Sequence, residues 1–289
     1  MSRILLKTQD HSRDSAGMRY VYPVISRRAG GVSVGINLNP NNACNWRCIY
    51  CQVPDLKRGG PPPVDLALLE RELDEFLRRV QSGDFMATRV PEGSRRLVDV
   101  AFSGNGEPTS AAEFADAVAI AGRVLTAHDL AGSVVIRLIT NGSLLDRKAV
   151  QTGIARIGRA AGEVWFKVDT GTSAGLARIN GTRARPDGVA RRLACCAALA
   201  PTWVQTCLFR LAPGACLPAH DHDEGEEQCL VVAGDVWLDD AHYAAGDWQV
   251  AQRGTRHGAV RTDGGCLLFI RSAFTRSPGP SASGSSLPA

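Results

Sequence analysis

No run of eighteen or more apolar residues occurs in the 289-residue chain, so no transmembrane helix is expected. The start, MSRILLKTQDHSRDSAG, has only a short apolar stretch before polar residues. It lacks the apolar core of a secretory signal, and a cytoplasmic location with no membrane partner is expected. An excess of charge is also missing. With 33 basic and 29 acidic residues, the net charge of +4 permits an anionic partner without by itself arguing for nucleic acid. No internal repeat spans both halves. Without an export signal, the nine cysteines are not read as disulfides. What the chain has is enough apolar residue, 44% against 21% charged, to bury a sizeable core in one large domain or two ordinary ones.

The reactive side chains are unevenly spread. Cys44, Cys48 and Cys51 cluster early, whereas four of the six histidines follow residue 219. That asymmetry points to two sites in two domains. Along the front part, strand patterns at residues 32–38, 97–102, 133–139, 163–168 and 203–209 alternate with helical patterns. A helix capped by Asp65 carries an apolar face of Leu66, Leu69, Leu73, Phe76 or Leu77, and Val80, with Gly83 as its stop. Ser110 and Glu113 have the spacing of a capping box for the next helix. Further helices are expected from about residue 145 and from Arg185-Pro186 through Leu199. Such alternation predicts a parallel sheet, with ligands beyond the carboxyl ends of its strands. The cysteines, Glu107, Asn141 and Asp169 all fall at those ends. After Arg210 the helical patterns give way to short segments punctuated by glycine and proline, which predicts an antiparallel β-barrel or sandwich.

The cysteine cluster reads C-x3-C-x2-C in the context ACNWRCIYCQ. Three thiolates on one loop can hold three irons of a [4Fe–4S] cluster and leave the fourth iron open. Half of a zinc site and a redox C-x-x-C are the alternatives. Zinc would want a fourth cysteine or histidine at similar distance, and a thioredoxin-like pair would not need Cys44.

This pattern resembles the radical S-adenosylmethionine (SAM) superfamily over roughly residues 19–209. The carriers of the resemblance are C-x3-C-x2-C, with Tyr50 before the third cysteine, and then SGNGEPT, ITNGS, KVD and INGT. The wider pattern is similar to a subgroup related to tRNA wyosine-synthesis enzymes. The resemblance implies a partial (βα) TIM-like barrel in which the open iron chelates SAM. One electron from the cluster cleaves the C–S bond, and the 5′-deoxyadenosyl radical takes a hydrogen atom from a substrate, a nucleoside in RNA being the class it points to. It further implies a reductant such as flavodoxin or ferredoxin. Gly104, Asn105, Gly106 and Glu107 match the loop that meets the methionine amino group, and Tyr50 would contact adenine. Asn141 and Asp169 would reach ribose or substrate. Taken alone, Glu107-Pro108 also fits a helix-entry turn and Asn141-Gly142 an ordinary turn. The family core commonly has six strand–helix units. Five are expected here, so the barrel is read as shortened.

The second site reads Gly214-x5-His220-x-His222-x4-Glu227-x6-Gly234, followed by His257. Residues two apart on a strand face one side, so His220 and His222 can point together. Glu227 and His257 complete a set suited to a divalent metal such as Zn, Fe or Mn, with Glu226 as the alternative carboxylate. The segment resembles the cupin superfamily, particularly the small metal-binding cupin of anti-sigma factors, through RLAPGACLPAHDHDEGEE, the AGDW turn, GTRH and GCLLFIR. His11, His128 and His242 are expected on the surface. Buried thiols are expected at Cys195 and Cys196; Cys216, Cys229 and Cys266 are expected in the core, with a redox-active role as the alternative. The domain reading is an N-terminal extension at residues 1–30, an α/β radical SAM core at 31–206 and an all-β cupin-like barrel at 207–275. A Pro/Gly/Ser tail at 276–289 is expected to be disordered.

Overall fold

A computed structural model describes residues 5–6, 17–26, 30–48, 51–222 and 226–273. His11, Tyr50 and the tail at 276–289 lie outside the described residues. Among the described residues the front half has eight strands: β1 (Val21–Ser26), β2 (Gly31–Asn37), β3 (Ala43–Cys44), β4 (Lys57–Arg58), β5 (Leu97–Ser103), β6 (Val135–Thr140), β7 (Glu163–Lys167) and β8 (Thr202–Leu211). The helices are α1 (Leu66–Gln81), α2 (Asp84–Arg89), α3 (Phe114–Ala127), α4 (Lys148–Arg159), α5 (Ser173–Asn180) and α6 (Pro186–Leu199). Strands β2, β5, β6, β7 and β8 run parallel in that order, as the alternation of patterns predicts. β1 adds an antiparallel edge next to β2. Residues 1–30, expected as an extension, therefore supply a strand of the sheet.

Period-two alternation explains the sheet's two faces. Val34, Ile36, Val100, Phe102, Ile136, Leu138, Val164 and Phe166 are all buried in one core with the helices. Ser33, Asp99, Arg137 and Glu163 alternate with them and form a polar network on the other face. The Arg137 guanidinium pairs with Asp99 and, at 2.7 Å, with Glu163, and it lies 4.4 Å over the Trp165 ring. Helix α1 begins as expected, with Asp65 accepting from the Leu68 amide at 2.9 Å. Its buried face adds Glu72, whose carboxylate accepts from the backbone amides of Arg19, Tyr20 and Val21 and so ties β1 to the helix. The Ser110–Glu113 capping box does not form. The Ser110 hydroxyl donates to the Glu107 carbonyl at 2.6 Å, and α3 starts after Glu113 with no side-chain cap. The same hydroxyl also accepts from Asn39 Nδ2 at 3.2 Å, so Ser110 is engaged by the loops around the strand ends rather than by the helix.

The back half holds β9 (Cys216–Leu217), β10 (His220–Asp221), β11 (Glu227–Leu238), β12 (Ala241–Ala244), β13 (Trp248–Ala251), β14 (Arg256–His257), β15 (Val260–Arg261) and β16 (Cys266–Ala273). All their mutual pairings are antiparallel. Leu211, Val231, Val236, Val260, Cys266 and Leu268 form a second, smaller core. Gly234 sits at φ +72°, and a Cβ there would stand 2.1 Å from the Gly265 carbonyl, so the turn requires glycine. The two halves share β8. Residues 202–205 pair parallel with β7, while residues 203–211 pair antiparallel with β16. The boundary expected at 206/207 falls inside this one strand, and the sheet runs unbroken from β1 to the back half. No helix among the described residues is long and apolar enough to cross a membrane.

Candidate functional site

The cysteine loop leaves β2 and lies over the carboxyl ends of the parallel strands. Asparagines hold it there. Asn37 Oδ1 accepts from the backbone amides of Asn39 (3.0 Å) and Asn105 (3.1 Å). Asn105 Nδ2 donates to Asn42 Oδ1 at 2.7 Å. Asn141 Nδ2 donates to Asn45 Oδ1 at 3.0 Å, and Asn45 Nδ2 to Ser143 Oγ at 2.7 Å. The loops after β5 and β6 thus each grip the cysteine segment. Gly106 is glycine because a Cβ would stand 2.1 Å from the Ala43 carbonyl.

Glu107 is buried among four donors. Oε1 accepts from the Thr109 amide (3.2 Å) and from the Thr109 and Thr140 hydroxyls (2.6 Å each), and Oε2 accepts from the Asn141 amide at 2.7 Å. Burial pushes its carboxyl up, and these hydrogen bonds pull against that. Oε2 retains a lone pair for one more donor. Cys44 and Cys48 are half-buried and Cys51 is exposed. Burial foremost, with Glu107 and the other two thiols adding, raises the Cys44 thiol to about 11, against a hydrogen bond from the Trp46 backbone. Burial of this kind disfavours the free thiolate, whose charge a bound cation would offset. Cys44, Cys48, Asn105, Glu107, Asn141 and Asp169 all fall at this mouth. Two residues absent from the sequence reading join them, Asn45 and Asn180, the latter within the INGT stretch. Both lie inside stretches that carry the sequence pattern, Asn45 between Cys44 and Cys48 and Asn180 in INGT, but the pattern singles out neither as a site residue.

The histidine centre is assembled by strand register. His220 on β10 is the direct partner of His257 on β14, and Glu227 opens β11. The ring centroids of His220, His222 and His257 lie 4.3–4.9 Å apart. One donor atom from each of these and from Glu227 falls within 4.8 Å of the others. His222 Nε2 is buried without a hydrogen-bond partner. Burial holds the His222 imidazolium disfavoured, helped by His220 and His257 and opposed by Glu227. His257 Nδ1 lies 2.9 Å from the Gly258 carbonyl, which places its proton there and leaves Nε2 a lone pair. An orphaned imidazole nitrogen, a second with its lone pair free, and a carboxylate 3.9 Å from His220 fit a divalent cation. Glu226 instead accepts from Gln228 Nε2 at 2.5 Å and stays outside the group, so Glu227 is the carboxylate of the set. The cavity beside it, about 50 Å³, is lined mostly by apolar side chains, among them Leu217, Val231, Leu238 and Leu268.

Other histidines and cysteines divide. His242 is surface-placed and lies 2.8 Å from Asp235. The His128 side chain is only 8% exposed, because Asp74 and Gln81 of α1 bracket its ring at 2.8 and 2.6 Å; it is not a free surface residue. Cys196 is fully buried and its thiol is pushed to about 12 by burial, as is half-buried Cys229. Cys266 is in the core, but Cys216, expected there, is exposed because β9 is a two-residue edge strand.

Residues 183–274 match the family model of the ChrR cupin-like domain, a stretch that takes in α6, β8 and the cupin-like, β-rich strands of the back half. The match begins well ahead of residue 207, in keeping with the shared strand. Among solved structures, the chain is similar to Rhodobacter sphaeroides SigE in complex with the anti-sigma ChrR. The identity is 27%, over 22% of this chain and 36% of that chain, with a TM-score of 0.21. It is also similar to TT1209 from Thermus thermophilus, at 26% identity over 23% of this chain and 68% of that one, TM-score 0.21. Among curated proteins, it is 25% identical over 154 residues to the GTPase Obg of Brachyspira hyodysenteriae. That alignment covers 52% of this chain, and the chain spans only 19% of the Obg protein.

Proposed function

We propose that the chain is a radical SAM iron–sulfur enzyme fused to a metal-binding cupin. The observation that supports the first half is the C-x3-C-x2-C loop pinned over the carboxyl ends of five parallel strands, where such a sheet binds its ligands. In this reading Cys44, Cys48 and Cys51 hold three irons of a [4Fe–4S] cluster. A cluster of this kind with SAM bound supplies a 5′-deoxyadenosyl radical on one-electron reduction. Glu107 offers its spare Oε2 lone pair to the methionine ammonium, while its other donors fix it in place. Asn105 and Asn141 hold the cysteine segment against the strand ends. Asp169, 9% exposed, lines the same mouth on the side of β7. The partners in this reading are an RNA nucleoside as substrate and a flavodoxin- or ferredoxin-type reductant. The edge of β8 where a sixth parallel strand would continue is taken by antiparallel β16.

The test is anaerobic reconstitution with iron and sulfide, followed by assay of 5′-deoxyadenosine with SAM and dithionite. Product formed by the wild type and lost with the visible absorption in Cys44→Ala, Cys48→Ala or Cys51→Ala is the expected result. Full retention of cluster in all three single variants would sink it. A second reading is favoured by the ChrR cupin-like match. In it the cupin is a metal- or redox-sensing regulator and the front half an inactive remnant. Metal-dependent release of a protein partner, with no SAM cleavage from a sound cluster, would select that reading.

A further inference from the structure

Helix α5 ends on Asn180, and Gly181 then takes a left-handed conformation (φ 60°) tight against the cysteine loop. A Cβ at Gly181 would stand 2.8 Å from the Arg47 carbonyl. The contact is fixed from both sides. The Arg47 amide donates to the Asn180 carbonyl at 3.0 Å, and Arg58 spans from the Asn45 carbonyl (3.1 Å) to the Gly181 carbonyl (2.7 Å). The Asn180 side chain is wholly buried. Its Nδ2 lies 3.3 Å from Cys48 Sγ and 2.5 Å from Asp169 Oδ2. A carboxamide nitrogen has two hydrogens, so both acceptors are served at once. The carboxylate also decides which end of the amide faces the sulfur, since the amide oxygen there would meet another oxygen.

We propose that Asn180 is a positioning residue that donates an N–H···S hydrogen bond to the Cys48 thiolate and raises the reduction potential of the cluster, with Asp169 orienting the amide. This inference rests on the [4Fe–4S] reading. Reduction places one further electron on the cluster and increases the negative charge at its sulfurs, so a donor to sulfur stabilises the reduced form more than the oxidised one. A residue that only packed the loop would alter cluster yield and leave the potential where it was.

The full chain is reconstituted anaerobically, and the cluster is titrated with dithionite and followed by electron paramagnetic resonance. Asn180→Leu removes the donor while keeping the branched shape, with a bulkier side chain, and Asn180→Ala removes it with a smaller one. Either variant should keep most of its iron and show a one-electron reduction equilibrium about tenfold less favourable, ~59 mV lower in potential. A potential unchanged or raised in a cluster-bearing variant overturns the proposal. Failure of both variants to fold beside a sound wild-type cluster overturns it as well, and makes Asn180 a packing residue. A wild-type chain that takes up no iron overturns the cluster reading itself, and that is known before any variant is compared.

Discussion

His222 shows how one side chain can carry both a site and a pH dependence. Its Nε2 is buried with no partner, which is costly unless a cation completes it. His222→Ala should therefore lower the bound metal of the full chain from about one equivalent to a small fraction, a larger effect than the roughly 10–100-fold loss caused by removing an outer hydrogen-bond partner of a ligand. Metal analysis after dialysis checks this; full occupancy in the variant would remove His222 from the set. The pH effect has a definite sign. Burial lowers the folded His222 pKa below its ordinary 6.5, so as pH falls through 6.5 the unfolded chain takes up a proton that the folded chain refuses. Stability of the metal-free protein should fall across that window, and less so in His222→Ala; equal melting shifts in the two between about pH 7.5 and 5.5 would count against it. Glu107 is the second residue-scale case. Glu107→Ala should leave iron near the wild-type level and weaken SAM binding roughly tenfold or more, the worth of a charge-assisted hydrogen bond. Removing the carboxylate also leaves its donors short of an acceptor, so a lower melting temperature than wild type should accompany that loss. Anaerobic calorimetry showing unchanged SAM affinity would remove Glu107 from the SAM site.

Strand β8 is the element on which the molecule turns. Its first residues complete the parallel sheet and its whole length from Trp203 pairs with β16. A fragment beginning at residue 200 keeps the strand intact, whereas one beginning at residue 212 strips β16 of its partner. The longer fragment, ending at residue 275, should bind about one metal but aggregate more readily than the full chain, because loss of β7 leaves the β8 edge unpaired. The shorter one should stay unfolded even with zinc supplied, as a small core without its main ladder is marginal. Circular dichroism and metal content distinguish these outcomes, and a folded, metal-bearing fragment from residue 212 would refute the dependence on β8.

At the scale of the whole molecule, the unbroken sheet links the two candidate centres mechanically. Metal bound only by the folded state stabilises it by about 2.7 kcal/mol at a hundredfold excess over Kd. Chelation should therefore lower the melting temperature by a few degrees. Since β8 belongs to both cores, the helical signal of the front half should shift together with the β-rich half. Two transitions, with the helical one unmoved by chelator, would show that the halves melt independently.

Local pattern made a good part of this protein legible in its sequence. Hydrophobic period and turn residues give five parallel strands and α1 with its Asp65 cap, because a strand or a helix is specified by neighbours a few residues away. Spacing gives the three-cysteine loop and puts His220 and His222 on one side of a strand, with Glu227 and His257 as candidate partners, since residues two apart on a strand need only its period; the strand register brings the four together. Tertiary structure decided what depends on distant partners. Residues 21–26 are a strand only because β2 and Glu72 receive them. Ser110 leaves its helix for the Glu107 carbonyl. Cys216 is exposed because β9 lies at an edge. Glu227 rather than Glu226 joins the histidines because of where β11 begins, and Asn180 reaches Cys48 across 132 residues of chain. The same cause placed the domain boundary inside β8: a strand's own residues specify that it is a strand, but which sheets it joins is set by the edges available to it in the folded molecule.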